Sequence, residues 1–170
     1  METHLLNIQR QPADGITAYF GKDHDRLSLL FRKFQDLKRT DFQLAKAYFI
    51  AFKSGFNRHI LWEEEILFPL FEQKTAILNA GPTFEMKEEH KQIGRILKNI
   101  NKKIEASDPD TDKEEERFMK ILFVHKIKEE NVVYMPLDDC TSSDEKNEIF
   151  MMINALSEER YERIPSEARI

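Results

Sequence analysis

Apolar residues recur every three or four positions along most of the chain, which is the spacing of one face of an α-helix. Turn-forming stretches, such as NAGPT at residues 79–83 and SDPDT at 107–111, interrupt this pattern. Alternating β-branched residues, which would predict strands, are scarce. The pattern predicts five helices, over residues 14–38, 41–73, 83–105, 111–134 and 143–162. Three pairs have the spacing of a capping box at a helix start: Thr40 with Gln43, Thr111 with Glu114, and Ser142 with Glu145.

Four long amphipathic helices joined by short turns are typical of an all-α, up-down-up-down four-helix bundle. The fifth predicted helix has an apolar face of its own and is an additional C-terminal element. We therefore divide the chain into a four-helix bundle, residues 1–138, and a C-terminal helix and tail, residues 139–170. The second part is expected to pack on the bundle, and association into a homodimer is the alternative use of its apolar face.

Four histidines and two glutamates interrupt the apolar stripes of the first four helices, where core side chains are expected. They are His24, His59, Glu63, His90, His125 and Glu129. The set is repeated at an interval of 66 residues, which separates the first lone histidine from the second and the first His-x3-Glu pair from the second. A spacing of four residues places the histidine and glutamate of each pair on one helix face.

These six side chains are expected to converge inside the bundle. His24 and His59 lie at similar distances from the turn near Thr40, so antiparallel helices bring them to one level. An ionised glutamate in an apolar core costs several kcal/mol unless a positive charge compensates it. No lysine or arginine occurs on the inward stripes, so the cation must come from elsewhere. Imidazole and carboxylate together are typical ligands of first-row transition metals.

The number of donors predicts two metal ions. If both carboxylates bridge the ions and each ion takes two histidines, each has four protein ligands; an oxo or hydroxo bridge leaves one position open on an octahedral ion. An open position is typical of small-molecule or redox chemistry. Iron fits this ligand set best, with manganese or zinc as alternatives. The competing interpretation is four core histidines bonded to backbone carbonyls and two solvent-facing glutamates; the register of all six favours the metal site.

Five acidic residues adjoin the six candidate ligands in the sequence: Asp23, Glu64, Glu65, Glu89 and Glu130. Each is rotated about 100° from its neighbour on the helix, so we expect these carboxylates to face solvent. Hydrogen bonding to the ligands is the alternative.

Composition restricts the partners. The formal charge is −5 and no basic cluster with interleaved aromatic residues occurs, which argues against nucleic acid. The longest apolar run is about six residues, far below the roughly 18 of a membrane span, so no membrane association is expected. The first residues, METHLLNIQRQ, do not resemble a signal peptide, and Cys140 is the single cysteine. A cytoplasmic location is therefore expected.

At these residues the chain resembles the hemerythrin-like, or HHE cation-binding, family, whose signature is H…HxxxE…H…HxxxE on a four-helix bundle. The flanking stretches DHDRL, EEEILFPL, EHKQI and HKIKEENVVYMP are similar as well, so that the resemblance covers residues 14–138. It implies a non-haem di-iron centre bridged by Glu63 and Glu129. Oxygen-carrying hemerythrins have a fifth histidine one turn before the third-helix histidine, where this chain has Met86.

The ligand set is closest to the repair-of-iron-centres proteins and to bacterial HHE proteins linked to nitric oxide and oxidative stress. The chain lacks the N-terminal cysteine-containing segment that such repair proteins often carry. We expect a protein that binds or reacts with O₂, NO or peroxide, or that donates iron in stress response and repair. A non-enzymatic metal-binding, iron-storage or sensing module is the alternative, and whether the chain is an enzyme stays open.

One departure from the internal repeat predicts a local irregularity. Pro69 follows His59 by ten residues, whereas Pro136 follows His125 by eleven. The extra residue predicts a bulge in the fourth helix that leaves Glu129 in place.

Overall fold

Every regular element of the computed structural model is a helix within the residues that it describes, 15–78 and 80–156. The first helix is Gly15–Leu37 and the third is Pro82–Glu105. The second runs through three consecutive segments, Phe42–Trp62, Glu63–Leu67 and Phe68–Thr75. The fourth does the same, with Asp112–Lys128, Glu129–Tyr134 and Met135–Cys140, and the fifth is Ser143–Ala155. The predicted all-α class is confirmed; the fifth helix ends at Ala155, earlier than predicted, and residue 162, its predicted end, lies outside the described residues.

Neighbouring helices of the bundle are antiparallel. Along the first and second helices Phe34 faces Phe49 at 5.1 Å between ring centroids, and Phe31 faces Phe52 at 4.9 Å. Residue numbers therefore increase along one helix as they decrease along the other. The same reversal relates the second helix to the third, the third to the fourth, and the fourth to the first. The four helices therefore close an up-down-up-down ring, as the sequence predicts.

Two apolar clusters fill the bundle, one at each side of the candidate ligands. The larger cluster is built from aromatic rings and isoleucines around Phe31, Phe52 and Phe118. The other lies around Phe20 and Phe68 and includes the inward face of the fifth helix, Ile149, Phe150 and Ile153. Within the described part of the chain, no helix has both the length and the apolar content to cross a membrane.

The second and fourth helices each contain a π-helical turn that begins at a candidate glutamate ligand. The backbone N–H of Phe68 bonds to the carbonyl of Glu63, and that of Met135 bonds to the carbonyl of Glu130, both five residues back. The irregularity expected after Glu129 is thus present, and a second one after Glu63 was not predicted. π-helical turns are rare and occur frequently at functional sites.

Helix ends depart from two of the three predicted capping boxes. Ser142 and Glu145 form the box at the start of the fifth helix. The second helix is instead capped by Asp41, whose carboxylate accepts from the Leu44 N–H at 3.1 Å. Thr111 begins the fourth helix without a side-chain cap, because its hydroxyl donates to Glu115.

The first helix is capped by a side chain distant in sequence. The Asp138 carboxylate accepts from the backbone N–H groups of Ile16 and Thr17, each at 2.8 Å. Gly15 stands directly before them with φ of +82°, and a Cβ at this position would lie 2.6 Å from the Asp138 Oδ1. This contact ties the start of the first helix to the end of the fourth, and it requires glycine at position 15.

A buried lysine joins the first helix to the start of the fourth at the opposite end of the bundle. Lys38 is 4 % exposed, and its Nζ donates to Glu115 at 2.5 Å, to Asp112 at 2.5 Å and to Thr111 at 3.2 Å. Glu115 also accepts from Gln35 at 3.0 Å. A buried ammonium group is tolerated here because each of its donors has a partner.

Replacing Glu115 by alanine should lower the free energy of unfolding by about 2 kcal/mol, because Lys38 keeps Asp112 but loses its buried counter-charge. Urea denaturation followed by circular dichroism measures this change. The control is Glu116→Ala, since Glu116 is exposed and pairs with Lys120 within the same helix, so its loss should leave the free energy of unfolding nearly unchanged. Equal losses in the two variants would contradict the role given to Glu115.

Candidate metal centre

The structure brings all six candidate ligands to one level of the bundle, between the two apolar clusters. None is more than 5 % exposed. The Nε2 atoms of His24 and His59 lie 3.0 Å apart, and Nε2 of His125 lies 2.6 Å from the Glu129 Oε1. The imidazoles therefore present their Nε2 atoms to the centre of the bundle, where the carboxylates also lie.

The six residues form two overlapping groups of donors, within each of which the potential ligand atoms lie within 4.8 Å of one another. One group has four donors: Glu63, His90, His125 and Glu129. The other has three: His24, His59 and Glu129. Glu129 joins the groups, because its Oε2 is 3.2 Å from the His24 Nε2 while its Oε1 faces His125.

Glu63 also faces both groups, but with unequal oxygens. Its Oε2 lies 3.3 Å from the His90 Nε2, and its Oε1 lies 3.8 Å from the His59 Nε2. The Tyr134 hydroxyl donates a hydrogen bond to that Oε1. Burial, together with the nearby carboxylates of Glu129 and Glu63, raises the pKa of Tyr134 well above its usual value. Tyr134 is a polar residue of the site that the sequence pattern did not identify.

Each histidine directs its other ring nitrogen, Nδ1, at a carboxylate of a neighbouring helix. The pairs are His59 with Asp23 at 3.0 Å, His90 with Glu64 at 2.7 Å, His125 with Glu89 at 2.8 Å, and His24 with Glu130 at 3.1 Å. In every pair the carboxylate belongs to the preceding helix of the closed ring. The four helices thus support one another's histidines in a single direction around the bundle.

The expectation that these carboxylates face solvent is wrong for Asp23, Glu64, Glu89 and Glu130. A rotation of about 100° from a core-facing position leads to the seam between two helices, and a carboxylate there reaches the histidine of the next helix. Glu65 is exposed, as expected.

The outer carboxylates determine which nitrogen of each imidazole is free. A proton held at Nδ1 by a carboxylate leaves the lone pair of Nε2 directed inward, and this is the arrangement of metal-binding histidines. Within the described residues, the buried Glu63 Oε2, His90 Nε2 and both Glu129 oxygens make no hydrogen bond. Such atoms are costly to bury unless a cation satisfies them. The donor set therefore fits a metal.

Electrostatics at the centre favour positive charge. Burial disfavours the charged form of His90, but contacts with Glu129, Glu63 and Glu64 outweigh it and raise the pKa of His90 well above its usual value. The pKa values of His24 and His125 are raised in the same way. Burial alone would raise the pKa of Glu129, but contacts with the surrounding histidines lower it well below its usual value. The carboxylates thus attract protons or metal ions to the same point.

Met86 occupies the position one turn before His90. Its side chain is 1 % exposed and packs in the apolar cluster around Phe20 and Phe68. No imidazole is available at this position, so the described centre has four histidines.

Comparison with family models matches residues 15–137 to the hemerythrin HHE cation binding domain. The match includes all six converging side chains and the four carboxylates outside them. Comparison with curated proteins and with solved structures gave no match. Because the matched region spans most of the chain and coincides with the buried cluster, this protein belongs to the hemerythrin HHE cation-binding domain family.

Proposed function

We propose that this chain is a non-haem di-iron protein that binds or reacts with a small ligand such as O₂, NO or peroxide. Its metal ligands are His24, His59, Glu63, His90, His125 and Glu129. The observation that carries the proposal is the convergence of buried Nε2 and carboxylate oxygen atoms, several of which have no hydrogen-bond partner in the described chain. Removing these polar atoms from water is costly without a cation among them.

Charge balance supports two ions. Six carboxylates surround the centre, two among the ligands and four behind the histidines. Two cationic side chains compensate part of this charge, since Arg26 bonds to Asp23 at 2.8 Å and Lys128 pairs with Glu89. With neutral imidazoles, four negative charges remain, and two divalent ions would balance them. The shared position of Glu129 also suits a pair of ions better than a single one.

Iron is the metal we propose, because the family typically binds it and because imidazole with carboxylate suits it. Manganese and zinc accept the same donors and are the alternatives. When bound, an iron pair with an open coordination position would supply ligand binding and electron transfer.

The protein's own contribution is orientation and exclusion of water. The outer carboxylates hold each imidazole in one tautomer and one direction. Aromatic rings close the centre on one side, with Phe20 5.4 Å from the His59 ring and Phe68 stacked on His90 at 5.8 Å. A small apolar ligand would reach such a site more readily than a large or charged one.

Reversible oxygen carriage is not the role we favour, because Met86 replaces the fifth histidine that the oxygen-carrying hemerythrins have. We favour a cytoplasmic protein of oxidative or nitric oxide stress, or one that donates iron for repair of iron centres. A non-enzymatic storage or sensing module is the alternative. Residues 1–138 would hold the metal, and 139–170 would complete the bundle or support a homodimer.

Elemental analysis of the full chain, purified without added metal, should give two irons per chain. His59→Ala should lose one or both ions, because it removes a donor from the three-donor group. His4→Ala is the control, since His4 lies outside the repeated pattern. An unaltered metal content in His59→Ala would contradict its role as a ligand.

Absorption spectra of the iron-loaded protein, recorded before and after exposure to NO, distinguish ligand chemistry at the metal centre from iron storage. A spectrum that changes stoichiometrically with NO supports ligand chemistry at an open coordination position. Two bound irons with no response to NO, O₂ or peroxide would support storage instead.

Replacing Glu64 by alanine should weaken metal binding by about 10- to 100-fold, because the Nδ1 proton of His90 loses its acceptor. Competition with a chromophoric chelator measures this change. Glu88→Ala is a matched control: its side chain is 45 % exposed, against 34 % for Glu64, and it pairs with Lys91. If both variants bind metal as the parent chain does, the outer carboxylates have no part in the site.

A further inference from the structure

The two halves of the metal centre differ at one aromatic position. Phe68 and Tyr134 each follow a candidate glutamate ligand by five residues and are fully buried. The Phe68 ring stacks on His90 with centroids 5.8 Å apart. The Tyr134 ring lies 5.9 Å from the ring of His24. The internal repeat thus places one aromatic ring beside a histidine in each half, and the hydroxyl group is the difference between them.

This hydroxyl contacts only one of the two carboxylate ligands. Tyr134 donates to the Glu63 Oε1, and its oxygen is 3.4 Å from the His59 Nε2. Phe68, at the equivalent place, has no hydrogen to donate. Both oxygens of Glu129 accordingly lack hydrogen bonds among the described residues. The two bridging candidates therefore differ in the electron density that they can offer an ion.

The Glu63 oxygen that accepts the hydrogen bond from Tyr134 is the one that faces His59, a member of the three-donor group. Four donors surround one position, whereas the His24–His59 position has three, with Glu129 as its carboxylate. The Glu63 Oε1, 3.8 Å from the His59 Nε2, would supply a fourth donor. A hydrogen bond from Tyr134 occupies a lone pair of this oxygen and withdraws electron density from it, which makes it a weaker ligand.

We propose that Tyr134 makes the two ion positions unequal, so that the ion between His24 and His59 binds more weakly, loads second and leaves first. The inference rests on the proposed function, because it presumes that two ions bind. It adds that one of them is exchangeable while the other is retained. A retained ion would keep four donors in place, and the exchangeable position is the one suited to iron donation.

The test is a titration of the metal-free full chain with Co(II) under anaerobic conditions, followed by absorption and by competition with a chelator. The parent chain should show two classes of site. In Tyr134→Phe the Co(II) affinity of the weaker site should rise about tenfold, so that the affinities of the two sites become more similar. Tyr48→Phe is the control, because Tyr48 is half-buried against the other apolar cluster.

A second pair of variants shows which histidines form each class of site. This assignment does not require that Tyr134→Phe folds. His24→Ala should abolish the weaker class and leave the tighter one, whereas His125→Ala should reduce the tighter class. Circular dichroism of each metal-free variant verifies the helical content. The reverse assignment would overturn the inference.

The remaining outcomes separate this inference from the proposed function. Two ions bound with equal affinity in the parent chain overturn the inference and leave the di-metal centre standing. An unchanged or weakened second class in Tyr134→Phe also overturns it, since the tyrosine would then support binding at that position. A parent chain that binds no metal overturns the proposed function and the inference together.

Discussion

The burial of two carboxylates inside a helical bundle is the constraint on which the rest of this structure depends. Glu63 and Glu129 lie where an ordinary bundle would have leucine or isoleucine, and each would destabilise the fold if its charge were uncompensated. Four imidazoles surround them, and four outer carboxylates fix the direction of those imidazoles. The negative charge of the outer carboxylates in turn increases the attraction of the centre for cations. The site is thus built to be completed by metal, and it belongs to a family defined by cation binding.

The apolar clusters on either side stabilise the bundle and so offset the cost of burying this polar layer. Rings such as Phe31, Phe52 and Phe118 pack at one side, and the fifth helix extends the cluster at the other. Their burial stabilises the four antiparallel helices in the register that aligns the histidines. The π-helical turns begin at Glu63 and Glu129, so the helices return to α-geometry only beyond the layer of ligands.

Much of this arrangement was predictable from the sequence, since a residue's position on a helix face depends on local periodicity. The five helices and the six inward side chains follow from spacing alone. The roles of Asp23, Glu64, Glu89 and Glu130 did not, because a residue at the edge of a stripe faces solvent or a neighbouring helix according to how the helices are packed. Tyr134 matched the aromatic pattern of the core, and its hydroxyl acquires a partner only when the second and fourth helices come together. The π-turn after Glu63 could not be recognised by comparing the two halves. The turn after Glu129 could, because its extra residue lengthens the spacing from histidine to proline.

Two differences between the halves lie beside the candidate ligands in the fourth helix. The π-helical segment Glu129–Tyr134 is one residue longer than Glu63–Leu67, and it ends at the tyrosine. Phe68, by contrast, is the first residue of the α-helical segment that follows its π-turn. The added residue and the added hydroxyl therefore occur in the same turn of the same helix, next to the ligands. A repeated bundle supplies two equivalent sets of histidines, and this one turn gives the two candidate glutamates different surroundings.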